Sequence, residues 1–155
     1  MMSELHRTPE PMSKTRLRLW LKLLKTSSRI EAELRRRLRD EYGTTLPRFD
    51  VLAALSRFPD GLKMSALSDL LRVSNGNVTG IVDRLTQGGH TLRVAVPGDR
   101  RAQLARLTPA GQSEFAKLAA AHETWLDELL TDLDADDVAI LYDLLQKTEG
   151  THNAQ

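Results

Sequence analysis

Apolar side chains recur at Leu17, Trp20, Leu24, Leu34 and Leu38, spaced by three, four or their sums, with charges filling the positions between them. That period predicts one long amphipathic helix over about 14–42, ended by Gly43 in the manner of a helix C-terminus. Before it, residues 1–13 hold Pro9 and Pro11 and few large apolar groups, which predicts a mobile arm. After it, Pro47 suits a first helical turn, and Phe49, Leu52, Ala53 and Leu55 predict a short helix that stops at the turn Phe58-Pro59-Asp60-Gly61. Ser65 is the expected N-cap of a third helix, with Leu67, Leu70 and Leu71 as its apolar side. A break at Val73-Ser74 precedes a fourth helix from about Asn75 to Gln87, and Gly88-Gly89 follow it. Two stretches of period-two character, Thr91 to Val96 and Ala102 to Leu107, joined by Pro97-Gly98-Asp99-Arg100-Arg101, predict a hairpin. Thr108-Pro109 then reads as an N-cap and first-turn proline opening a helix through Phe115, Leu118, Ala119, His122, Leu126 and Leu129, and Asp134 caps a last helix carrying Val138, Leu141, Leu144 and Leu145.

At 155 residues and 17.4 kDa the chain allows one domain, or one small module on a helical framework. Two short helices followed by a basic hairpin match the pattern of a winged helix-turn-helix. The expected fold is therefore mostly α with a small β-hairpin wing. It divides into an arm (1–13), a dimerisation helix (14–43), a DNA-binding lobe (44–107), C-terminal dimerisation helices (108–149) and a tail (150–155). The outer helices carry more apolar face than so small a chain can cover, which predicts a homodimer, two-fold symmetry being the commonest solution.

The net charge of +1 conceals a polarity along the chain. From Ser13 to Glu41 ten basic residues face four acidic ones, net +6; from Arg57 to Arg106 the balance is +4; from Ala120 to Glu149 it is −8. Such segregation fits a polyanion partner for the first two thirds, and equally fits solvated helix faces that differ in sign. With no cysteine there are no disulfides, thiolate metal sites or thiol catalysis. No apolar run approaches the roughly 20 residues of a membrane span, and the first residues lack the apolar stretch of a secretory signal, so a cytoplasmic protein is expected.

Helix periodicity places Val78, Ile81, Val82 and Leu85 on one face of the fourth helix and Gly76, Gly80 and Asp83 opposite, flanked by Asn77, Thr79 and Arg84. Two exposed glycines in a helix cost roughly 1 kcal/mol each relative to alanine. Close approach of the helix to a duplex offsets that cost, with Asn77 and Thr79 meeting base edges and Ser74 or the helix N-terminus meeting a phosphate. Asp83 repels phosphates, and is expected to orient Arg84 or a wing arginine, or to accept from a cytosine amino group. At the hairpin, Arg93 is expected on a phosphate, and Arg100 or Arg101 in the minor groove with Asp99 holding one arginine in place. The expected DNA-binding set is Ser65, Ser74, Asn75, Gly76, Asn77, Thr79, Gly80, Arg84, Arg93, Asp99, Arg100 and Arg101.

Leu67 to Leu71, Val73-Ser74, the run from Val78 to Leu85, Asp99-Arg100-Arg101-Ala102 and Arg106-Leu107-Thr108-Pro109-Ala110-Gly111 together resemble the MarR family of bacterial transcription regulators over about residues 14–147. The most specific parts are Val82-Asp83-Arg84-Leu85 and the Asp-x-Arg pattern at Asp99 and Arg101. The resemblance implies a dimer joined by its outer helices, binding an inverted-repeat operator in double-stranded DNA, with Arg101 in the minor groove and Asp99 as its support. One departure is His90, which stands where the family usually has an apolar residue, and the strand after it is less charged than usual. Thr45-Leu46-Pro47-Arg48-Phe49-Asp50 and Ser74 to Gly80 resemble the subgroup released from DNA by aromatic acids or hydroxycinnamoyl coenzyme A thioesters. That implies an effector pocket in which Trp20, Leu24 and Phe49 line an aromatic site, Ser28 or His122 meets a phenol, and Arg48 or the run Arg35-Arg36-Arg37, Arg36 in particular, meets a carboxylate or coenzyme A phosphates.

Catalysis is not expected. His6, His90, His122 and His152 are scattered without ligand spacing, no glycine loop of phosphate-binding type follows a strand, and no serine sits in a nucleophile elbow, so no catalytic residue, metal site or cofactor is assigned. The acidic end, Glu123 to Asp143, motivates one alternative, a protein-interaction module on a winged-helix scaffold.

Overall fold

The computed structural model describes residues 9–150. Residues 1–8 of the expected arm and 151–155 of the tail lie outside the described residues. The element order is α1 (Met12–Tyr42), α2 (Leu46–Ser56), β1 (Leu62–Lys63), α3 (Met64–Leu71), α4 (Asn75–Gln87), β2 (Thr91–Val96), β3 (Asp99–Leu107), α5 (Pro109–Leu129) and α6 (Ala135–Glu149). Two compact units result, one ending at Thr45 and the other beginning at Leu46.

The first unit is α1. It starts directly after Pro11, so Met12 and Ser13 belong to the helix and not to the arm. Gly43 ends it at φ 61°, its N–H donating to the Arg39 carbonyl at 3.0 Å. Leu34 and Leu38 are buried, whereas Leu17, Trp20, Leu21 and Leu24 are exposed.

In the second unit α2 sits at the centre, packed on α3, α4, α5 and β3. Val51, Leu52, Ala54 and Leu55 are all buried, so α2 is apolar on nearly every side, as a helix enclosed by its neighbours must be. Leu67 of α3, Val78, Val82 and Leu85 of α4, Ala105 and Leu107 of β3 and Leu118 and Trp125 of α5 complete the core. Each large apolar side chain so enclosed contributes about 1.5–3 kcal/mol. Leu70, expected on the apolar side of α3, is 49% exposed. With only eight residues, α3 presents two turns to the core, and Leu67 fills them. Ser65 is not the N-cap of α3: that position belongs to Lys63, which makes no side-chain cap bond, because β1 runs straight into the helix.

Between α3 and α4 the chain turns through Arg72, at φ 54° in the left-handed region. The Ser68 hydroxyl holds that turn by donating to the Val73 carbonyl at 2.5 Å, while the Val73 N–H donates to the Ser68 carbonyl at 3.2 Å. Ser74 then caps α4, its Oγ accepting from the Asn77 N–H at 3.3 Å.

The three strands form an antiparallel sheet in the order β1-β3-β2. β3 begins at Asp99, earlier than the alternation of apolar residues indicated, so Val96 faces Asp99 and the turn is only Pro97-Gly98, with Gly98 at φ 83°. A register shift lies between Ala95 and Val96. β1 has no counterpart among the expected elements.

The end of α4 and the start of α5 meet at one joint. Thr108 Oγ1 accepts from the Gly111 N–H at 3.0 Å and donates to the Gly89 carbonyl at 2.6 Å, and the Thr108 N–H donates to the His90 carbonyl at 3.1 Å. A Cβ on Gly111 would stand 1.9 Å from the His90 oxygen. At the far end α6 opens with a reciprocal Asp134–Asp137 capping box. It buries no residue, and Val138, Ile140, Leu141, Tyr142, Leu144 and Leu145 are all exposed. Gly111→Ala is expected to force this joint apart and lower stability by about 2 kcal/mol, measured by urea denaturation, because overpacking against backbone cannot be relieved by a rotamer change. Unchanged stability would show that the joint is soft.

Candidate nucleic-acid interface

α4 separates its faces as the sequence period requires. Val78 and Val82 are fully enclosed and Leu85 nearly so, while Gly76, Asn77, Gly80, Asp83 and Arg84 are exposed and Thr79 is half-buried. A Cβ at Gly76 or Gly80 would meet nothing within 4 Å. Thr79 Oγ1 donates to the Asn75 carbonyl at 2.8 Å, leaving the hydroxyl free to accept but not to donate. Ser74, Asn75 and Asn77 are exposed at the helix start. Its first turn holds no acidic residue to compete for an anion.

The wing stands beside the start of α3. A groove of about 420 Å³ is lined by Lys63, Met64, Ser65, Asp99, Arg101, Ala102 and Gln103. Three of the expected residues, Ser65, Asp99 and Arg101, come together there. Lys63 and Gln103 were missed by sequence reasoning, since a two-residue strand has no period to betray it. Asp99 does support Arg101, but through the backbone: its Oδ1 accepts from the Arg101 N–H at 3.0 Å, which fixes the tip and leaves the guanidinium exposed. Arg100 lies in β3.

Arg93 is engaged within the protein. One Nη pairs with the carboxylate of Asp83 on α4, and the other donates to Gln103 Oε1 at 3.2 Å. The side chain is 28% exposed and its Nε–H is buried with no hydrogen-bond partner among the described residues, whereas the Asp83 side chain is 52% exposed. Of the partners open to Asp83 from sequence, the structure chooses the wing arginine over Arg84.

The expected effector residues divide between the two units. Trp20, Leu24 and Ser28 lie exposed on α1. Arg36, on the same helix, is engaged: it donates to both Glu33 oxygens, at 3.1 and 2.5 Å, and reaches Asp40 at 3.5 Å. Hydrogen bonds from Arg36 and then Arg37 hold the Glu33 carboxyl at about 2, and Glu33 in turn raises the Arg36 guanidinium above its ordinary value. In the second unit Phe49 is buried and stacks on His122, with ring centroids 4.7 Å apart, and on Phe115 at 5.9 Å. Arg48 is half-buried near the start of α2, next to Phe49. Among the described residues no group of three metal-ligating side chains gathers, and no helix is long and apolar enough to cross a membrane.

Burial against Phe49 lowers the His122 pKa below its ordinary 6.5. The unfolded chain therefore binds the proton more readily, and stability present above about 6.5 is lost as the pH falls from there toward the lower folded value. His122→Phe is expected to remove this component of the acid limb while keeping the stack, as read by thermal unfolding between pH 5 and pH 8 (about the range histidine titrates).

A sequence profile described as the MarR family matches residues 42–102. The transcriptional activatory protein BadR of Rhodopseudomonas palustris is 33% identical over 62% of this chain, which spans 57% of that protein's length. YkoM, an HTH-type transcriptional regulator of Bacillus subtilis, is 31% identical over 73% of this chain and 72% of its own length. The crystal structure of a MarR family transcriptional regulator from Silicibacter pomeroyi superposes with a TM-score of 0.78 at 34% identity, covering 92% of this chain and 99% of that one.

Proposed function

The chain belongs to the MarR family of transcription regulators, and from that membership we propose that it is a homodimeric repressor that binds an inverted-repeat operator and is released by a small aromatic acid or its coenzyme A thioester. In this proposal α4 enters the major groove of double-stranded DNA, Arg101 enters the adjacent minor groove, and the protein works in the cytoplasm as a regulator and not an enzyme.

The open face of α4 carries the DNA-reading part. Among the described residues nothing requires Gly76 or Gly80 to be glycine, since a side chain at either would meet only open space. Each forgoes about 0.5–1 kcal/mol of helix stability relative to alanine. A duplex pressed against the backbone explains both. Asn77, with an amide that can donate and accept, stands between them for base-edge readout.

Support for the homodimer comes from the apolar surface left on α1 and α6, where Trp20, Leu21, Leu24, Ile140, Leu141 and Leu144 are all more than 40% exposed. Surface of that kind is what a second copy covers. Support for an aromatic effector is the half-buried His122, whose ring already takes an aromatic partner in the buried Phe49.

Selection of bound duplexes from a random DNA library at moderate salt tests this function. Enrichment of an inverted repeat with half-sites about one helical turn apart is expected. On that duplex Arg101→Ala should cost about 1–3 kcal/mol of affinity. Gly80→Ala should raise thermal stability while weakening binding, a split that a helix facing only solvent would not show. Protein that retains no duplex at low salt belongs to the interaction-module alternative, because phosphate contacts each add about 0.9 to the log–log salt slope and are strongest there.

A further inference from the structure

Arg93 and Asp83 are ten residues apart in sequence and belong to different elements, one on the edge strand of the wing and the other on the exposed face of α4. A bare carboxylate beside Gly76, Asn77 and Gly80 would repel any polyanion brought to that face. The arginine answers it from the side: one end of its guanidinium takes Asp83, and the opposite end takes Gln103, which lines the groove shared by Lys63, Ser65 and Arg101. The arginine side chain is mostly shielded and its Nε–H is buried, and each of its two Nη ends points to an acceptor within the protein.

We propose that Arg93 is a positioning residue that neutralises Asp83 and ties the wing to the recognition helix, and that it is not itself a phosphate contact. The planar fork of arginine suits the task, since two donors on opposite ends hold two acceptors at a fixed separation. The tether sets the distance between the element that reads the major groove and the one that enters the minor groove. Asp83 thereby becomes an anchoring point of the wing instead of a base-reading group. This role rests on the DNA-binding function proposed above.

The test is a double-mutant cycle on the full chain with the duplex recovered by selection, read over a range of salt concentrations. Arg93→Met keeps the aliphatic stem and removes both hydrogen-bonding ends. It is expected to weaken binding about tenfold or more, the order of one lost charge-assisted contact, with the log–log salt slope unchanged. Adding Asp83→Asn to Arg93→Met should return most of the lost affinity, because the uncompensated charge is then gone. Gln103→Ala, which leaves the buried stem untouched, should weaken binding in the same direction at constant slope and guards against a variant that fails to fold. A slope reduced by about 0.9 in Arg93→Met, with no recovery on adding Asp83→Asn, would make Arg93 a phosphate ligand and overturn the proposal. Unchanged affinity in Arg93→Met would overturn it as well. Wild-type protein that retains no duplex overturns the regulator function itself, a failure distinct from either of these.

Discussion

Val78, Val82 and Leu85 are the grip by which the lobe holds α4, and the grip is on one side only. Their burial against the α2-centred core fixes the axis of the helix and its rotation about that axis, so the residues on the opposite side have no choice but to face outward. Ser74 at one end and the Gly88-Gly89 turn at the other supply the backbone partners that a half-exposed helix otherwise loses to water. What α4 exposes, the two glycines included, is a consequence of where those three apolar side chains stand.

Much of this was legible in the sequence because it is local. Gly43, Thr108-Pro109 and Asp134 mark helix ends through bonds made within a few residues, and the structure finds each cap where its chemistry indicated. The faces of α4 follow from a period that a 13-residue helix carries long enough to be read. The turn at Phe58 closes through the Gly61 N–H on the Phe58 carbonyl at 2.8 Å, again a local matter.

What escaped depends on partners distant in sequence. β1 exists because Leu62 and Lys63 pair with Ala105 and Leu104, and two residues have no alternation of their own. That pairing brings the chain into α3 already extended, which is why Lys63 and not Ser65 precedes the helix. Leu70 kept the period of a buried residue and still lies outside, since an eight-residue helix offers the core only part of its circumference. Asp83 had several candidate partners in the sequence, and only the crossing of β2 over α4 selects Arg93. Arg36, expected at an effector carboxylate, instead spends its fork on Glu33 one turn earlier, a contact between helix neighbours that competes with any ligand.

The sheet itself has two poor edges. β1 is too short to template a further strand, and β2, which has β3 as its neighbour, carries a paired arginine at its middle, an irregular register near its end and a proline directly after it. Edges blunted in this way resist strand-to-strand addition by other copies of the chain. Strand addition is thus suppressed along the wing, and the large exposed apolar side chains of α1 and α6 lie on helices instead.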